Sequence, residues 1–243
     1  MTELSGENEV RIRLTFAEPL DCVTATLLIV FAVIFVGQEL IPPFNKFVLT
    51  YLAMDTSQFL HKLYLWQAVT SIFLHGSRCH FLVNMICFWF FGTQLSNAWK
   101  HKEFLIYFFL CGIFASLCFY VFNIVRVPPN VQGIKGLGAS GAVFGLMLAY
   151  AFVYGDRTVL AFLIIPMKAK YFVAILFVLE IMSVIAGRMD GVGHIAHVGG
   201  AVGGALYLKF IWRQQRGLAG FSGRKGHASS RVGGLEIMDE ADE

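Results

Sequence analysis

The chain has 243 residues, of which 57% are hydrophobic and 14% charged, with a formal net charge of +3 and a mean hydropathy of +0.66. Soluble domains carry about a quarter charged residues, so this composition excludes an ordinary soluble domain and points to an all-α, polytopic membrane protein. The basic residues are dispersed, which excludes a nucleic-acid surface. Of the five cysteines, four (among Cys22, Cys79, Cys87, Cys111 and Cys118) lie in or beside apolar runs, as reduced packing residues would rather than a disulfide framework.

A helix needs about 20 residues to cross the hydrocarbon core, and the chain offers six such runs. Residues 1–21 form a short N-terminal segment. The first apolar run, 22–41, follows acidic residues and lacks a small-residue cleavage site, so it is expected to be a retained anchor. Residues 42–73 are interrupted by Lys46, Asp55, Lys62 and Trp66 and are expected to form a loop on the outer leaflet, long for a connection. Further spans are expected at 81–98, 104–125, 137–154, 171–186 and 192–212. The short apolar piece 158–165 stops at Pro166 and reads as interfacial or loop-like. The tail, 213–243, is rich in Gly, Ser and Arg and then acidic, which predicts disorder. The membrane domain is thus 22–212.

With both termini in the cytoplasm, only Lys46, Lys62, Arg78, Arg126, Lys135 and Arg188 of the 19 basic residues fall outside. The excess of inside charge supports that orientation. The second, fourth and sixth spans then begin on the outer side. Their beginnings carry His75, His80 and Asn84, then Ser140, then His194 and His197. The polar candidates therefore share one depth.

Ser140 sits in Gly138-Ala139-Ser140-Gly141. A serine hydroxyl is a weak nucleophile until a base removes its proton, and His197 is the candidate base. The sixth span itself has no carboxylate in its outer half, so a Ser-His dyad is expected. Phe144 lies one turn below Ser140 and could stack on the imidazole. Gly141, Gly145 and Ala149 in the fourth span, and Gly200 and Gly204 in the sixth, would let the two helices approach closely. His80 and Asn84, four apart at the top of the second span, could join the Ser140 N–H as an oxyanion hole. Each feature has a plain alternative: small-residue stripes are widespread in membranes, and helix serines often bond their own backbone. His75 reads as a residue tying down the first loop, and His194 as a loop or cap residue.

The combination resembles the rhomboid family of intramembrane serine proteases. The family's Gly-x-Ser-Gly motif matches Gly138 to Gly141. Its Ala-His motif, with glycines three and seven residues later, matches Ala196, His197, Gly200 and Gly204. Its second-span pattern matches His75, His80 and Asn84. The resemblance implies a six-helix bundle in which Ser140 is the nucleophile, His197 the base, His80 and Asn84 oxyanion donors, and His75 a structural residue of the first loop. It implies cleavage of single-span or polytopic membrane proteins near the outer face, where the substrate helix is unstable, with the lipid bilayer as medium and no cofactor or metal. This simple form, without a seventh span, is frequent in bacteria, so a bacterial inner (plasma) membrane is expected. Three positions depart from the family's pattern: Gln67 after Trp66 where many members have arginine, Ser96 four after Gly92 where a glutamate is usual, and Phe144 where many have tyrosine.

The alternative within the family is a catalytically inactive binder of membrane proteins, but such relatives usually lack the serine or the histidine. A metalloprotease would need His-Glu-x-x-His, which is absent; His194 and His197 could share a helix face, but nothing supplies a third ligand and a base carboxylate. An aspartyl protease would need two membrane-depth aspartates, whereas Asp156 and Asp190 lie at or beyond span ends. A transporter would favour a midplane site and internal repeats, and neither is visible.

Overall fold

The computed structural model describes residues 12–14, 19–126, 133–161, 164–188, 193–212, 231–232 and 235–237. A short strand, β1 (Ile12–Leu14), precedes α1 (Cys22–Leu40). Asp21 caps α1, its carboxylate accepting from the N–H groups of Val23 (2.9 Å) and Thr24 (3.1 Å). This satisfies two of the donors that a helix start leaves open. Leu27, Phe31 and Phe35 face inward along α1, while Ile29, Val33 and Val36 are exposed, as lipid-facing side chains would be.

Residues 42–73, expected to form a loop, instead fold into a packed unit. Pro42 and Pro43 open α2 (Pro42–Tyr51) at its first turn, where a missing N–H does no harm. Strand β2 (Met54–Asp55), α3 (Gln67–Thr70) and a 3-10 turn at Ser71–Phe73 follow. Val48, Ala53 and Leu74 form one small core here, and Met54, Phe59 and Ala68 form another with Tyr120. The polar residues that break the hydropathy pattern hold the backbone. Gln67 is fully buried; its amide accepts from the Asp55 N–H (3.1 Å) and donates to the Tyr51 carbonyl (3.3 Å). Trp66 Nε1 donates to that same carbonyl (2.9 Å), and Thr70 to that of Leu52 (2.7 Å).

The second span runs from α4 (Arg78–Cys87) through one π turn at Phe88–Gly92 into α5 (Thr93–Ala98). It starts three residues before the expected 81, because Ser77 caps it by accepting from the His80 N–H (3.2 Å). At its other end Ser96 donates to Asp21 (2.9 Å), joining α5 to the head of α1. Helix α6 (His101–Arg126) leads through β3 (Lys135–Gly136), which pairs antiparallel with β2, to α7 (Ser140–Tyr154). The segment 158–165, read as interfacial or loop-like, is part of a β-hairpin, β4 (Thr158–Ala161) with β5 (Ile165–Lys168). Helices α8 (Ala169–Ile185) and α9 (His194–Tyr207) follow, α9 continuing into a π turn at Leu208–Trp212. In the tail, β6 (Arg231–Val232) and β7 (Leu235–Ile237) join β1, β4 and β5 in one sheet, ordered β1-β7-β6-β4-β5. These strands depart from the expected disorder; the rest of 213–243 and most of 1–21 lie outside the described residues.

Helical runs thus occupy all six expected span positions. Among the described residues, two single helices, Cys22–Leu40 and His101–Arg126, are long and apolar enough to cross a membrane, and Ser140–Tyr154 is a shorter apolar helix. With the hydropathy of the whole chain, this is an all-α, polytopic membrane bundle. Its centre is α9, wedged between α6 and α7. A Cβ on Gly200 would overlap the backbone of Gly141 on α7. One on Gly199 or Gly203 would run into Cys118 or Phe114 of α6, and one on Gly204 into Tyr107. The Tyr107 hydroxyl donates to the Gly145 carbonyl at 2.7 Å, binding α6 to α7. Such glycine seams bring membrane helices to backbone contact, where dispersion forces replace an absent hydrophobic drive.

Candidate active site

Ser140 is the first residue of α7, so its N–H belongs to the set a helix leaves without an internal acceptor. Gly138, two residues earlier, has φ +126 and donates to the Ser71 carbonyl at 2.9 Å. A Cβ there would fall 2.6 Å from Cε1 and 2.8 Å from Nε2 of His80. Glycine is therefore required twice over, for the backbone angle and for the imidazole packed on it.

The hydroxyl of Ser140 and Nε2 of His197 are 2.8 Å apart. His197 is buried on α9, and the close Gly141–Gly200 crossing, one and three residues away, sets the separation. The Phe144 ring lies parallel to the imidazole, with centroids 4.4 Å apart and planes 9° from parallel. An imidazole that accepts the serine proton at Nε2 must carry its own hydrogen on Nδ1. The pair has the geometry of a nucleophile and its base.

One expectation needs correction. The sixth span has no carboxylate in its outer half, but α8 supplies one. Glu180 Oε2 is 3.1 Å from His197 Nδ1 and 2.7 Å from His194 Nδ1. The contact to His194 is a directed hydrogen bond. That to His197 is a close approach without good alignment, for Nδ1 has no hydrogen-bond partner by direction among the described residues. His194, read as a loop or cap residue, opens α9 and ties it to α8. The sequence reading also found no third group for the two histidines. In space their donor atoms and that of Glu180 lie within 4.8 Å of one another, near enough to share an ion. One carboxylate oxygen thus stands within 3.1 Å of both nitrogens, bonded by direction to that of His194. Glu180 escaped notice because it stands 17 residues from His197 on a helix of opposite direction. A carboxylate inside an apolar run, costly in lipid unless paired, was the available signal.

His80 reaches the site beside Gly138. Asn84 is buried one turn below, with Nδ2 donating to the His80 carbonyl (2.8 Å), so part of its donor capacity serves its own helix. His75 is buried among Phe31, Phe35 and Phe81, with His80 5.3 Å away. Neither ring nitrogen has a hydrogen-bond partner among the described residues. Burial first, and then the neighbouring His80, push its pKa down to about 3. Its backbone N–H and C=O are both held by the Gln38 amide (3.2 and 3.4 Å), which fastens the end of the first loop to α1. Gln38 was not singled out in the sequence. Asp190 lies outside the described residues.

Residues 62–214, more than half the chain, match the family description "Rhomboid domain". The chain belongs to the rhomboid family. It is 28% identical to RHOMBOID-like protein 1 of Arabidopsis thaliana over 68% of this chain and 39% of that protein. It is 31% identical to RHOMBOID-like protein 12, mitochondrial, of the same plant, over 57% of this chain and 44% of the relative. Identity to Rhomboid protease GlpG of Yersinia pestis is 27%, over 63% and 49%. The chain thus spans half or less of the length of these curated relatives. Family membership makes this rhomboid an integral membrane protein. Because its relatives carry mitochondrial as well as bacterial names, the likeness does not support the expected bacterial inner membrane.

Proposed function

We propose that this rhomboid is an intramembrane serine endopeptidase that cleaves transmembrane segments of other membrane proteins near the outer face. The observation that carries the reading is the 2.8 Å contact between the Ser140 hydroxyl and His197 Nε2, in an imidazole already stacked on Phe144. Two relatives named as rhomboid proteases, from Providencia stuartii and Yersinia pestis, support it.

On this reading a substrate segment reaches the site sideways from the lipid, past α8 or the connection at 187–193, part of which lies outside the described residues. Its helix must unwind first, because a helical peptide bond is shielded by its own hydrogen bonds. Ser140 then attacks the carbonyl carbon as His197 takes the hydroxyl proton. The oxyanion forms beside the Ser140 N–H at the positive end of α7, with His80 and Asn84 as side-chain donors. Asn84 retains a second amide hydrogen for this role. His197 returns the proton to the leaving amine and then activates water to free the acyl-enzyme.

Labelling of the full chain with a serine-directed fluorophosphonate tests this without a known substrate. The wild type is expected to label at Ser140, and Ser140→Ala and His197→Ala are not. His80→Ala and Asn84→Ala should each slow labelling by about 100-fold or more where the donor is essential. Absence of label from folded wild type would replace the protease with a catalytically inactive rhomboid-like binder of membrane helices.

A further inference from the structure

Glu180 lies five residues before the end of α8, on a helix whose Ile175, Val178, Leu179 and Met182 are exposed as lipid-facing residues are. A carboxylate at membrane depth is expensive unless it is paired. This one is turned away from lipid, with its side chain only 15% exposed, against His194 Nδ1 (2.7 Å) and His197 Nδ1 (3.1 Å). The other ring nitrogen of His197 faces Ser140. The imidazole therefore stands between a hydroxyl and a carboxylate.

We propose that Glu180 is a positioning residue for the reaction, holding His197 with its hydrogen on Nδ1 and completing a Ser140–His197–Glu180 series drawn from three helices. The inference rests on the serine-protease reading and extends it. Phe144 stacked on the imidazole sets the plane of the ring, but a phenyl face does not decide which nitrogen bears the hydrogen. A carboxylate beside Nδ1 does, because it accepts and cannot donate when ionised. It also faces the positive charge that appears when the serine proton arrives at Nε2; the Nδ1 hydrogen stays on the ring and Glu180 stays ionised throughout. The same logic governs serine triads on unrelated folds. The imperfect alignment at 3.1 Å suits a resting enzyme, since catalytic hydrogen bonds commonly tighten only along the reaction. His194 fixes the carboxylate by its own directed bond, so the loss of His194 should weaken the effect.

The competing account is that Glu180 and His194 merely tie α8 to the head of α9. Fluorophosphonate labelling rates resolved into the maximal rate and the half-saturating concentration separate the two, together with 15N chemical shifts of the His197 ring. In Glu180→Gln and Glu180→Ala the maximal rate should fall by about 10²–10⁴-fold with little change in half-saturation, and the Nδ1–H tautomer should lose population. His194→Ala should show a smaller fall. If Glu180→Ala does not fold, the near-isosteric Glu180→Gln carries the test. A maximal rate within about threefold of wild type in Glu180→Gln would overturn the proposal, as would an unchanged tautomer. So would wild-type labelling that is abolished by EDTA and restored by zinc, which would assign the trio to an ion. Failure of the wild type to label at all counts against the protease reading instead; the ring shifts of Glu180→Gln against wild type would still decide whether Glu180 sets the tautomer.

Discussion

His75 shows how a single residue can carry a pH dependence. Its ring is buried beside phenylalanines and its pKa is pushed down to about 3, so the folded protein keeps it neutral. The unfolded chain protonates it near its ordinary value of about 6.5. Between those values the unfolded state binds more protons, so stability falls as pH falls. The difference between pH 7 and pH 5 should be about 2 kcal/mol from this residue. Thermal melts in detergent should show the decline in wild type, and His75→Leu should flatten it. Gln67 and Ser96 show that a departure from a family pattern need not leave a gap. Gln67 joins the Asp55 N–H to the Tyr51 carbonyl, and Ser96 reaches Asp21. Phe144 stacks on His197 without needing a hydroxyl.

Among elements, the α7–α9 crossing governs the distance between Ser140 and His197. The Gly200 position faces the carbonyl of Gly141, a backbone atom that cannot rotate aside. Gly200→Ala must therefore push the helices apart, and overpacking of this kind costs about 1–3 kcal/mol. Fluorophosphonate labelling should drop at least tenfold while the protein still melts cooperatively. A variant that labels at the wild-type rate would show that the crossing does not control the contact. The same seam explains why α9 tolerates four glycines despite their poor helix propensity: Gly199, Gly200, Gly203 and Gly204 are each backed by α6 or α7.

Across the whole molecule, the proposed orientation places the heads of α4, α7 and α9 on the outer side and the head of α1 inside. Two native cysteines test it, since Cys22 at the start of α1 and Cys79 at the start of α4 are both exposed, while Cys111 is buried. A membrane-impermeant maleimide added to intact cells or right-side-out vesicles should modify Cys79 and spare Cys22 until the membrane is opened. The reverse pattern would invert the topology and move the Ser140–His197 contact to the other face.

Much of this protein was legible without coordinates. Hydropathy and the 20-residue span requirement located six helical segments, because lipid leaves backbone groups no partner except one another. Charge bias gave them the orientation proposed above, and the glycine spacing and the Ser140, His197, His80 and Asn84 positions marked where helices would meet. Local pattern could not anticipate the folded unit at 42–73, because its polar residues bond the backbone of distant neighbours and look in sequence like interruptions. Nor could it place Glu180 against His197. Which face α8 turns to α9 depends on how three helices pack, and a contact across antiparallel helices leaves no spacing in the chain. The sequence by itself located the helical runs and singled out Ser140 and His197, the pair proposed to react; only the tertiary structure decided what stands behind the imidazole.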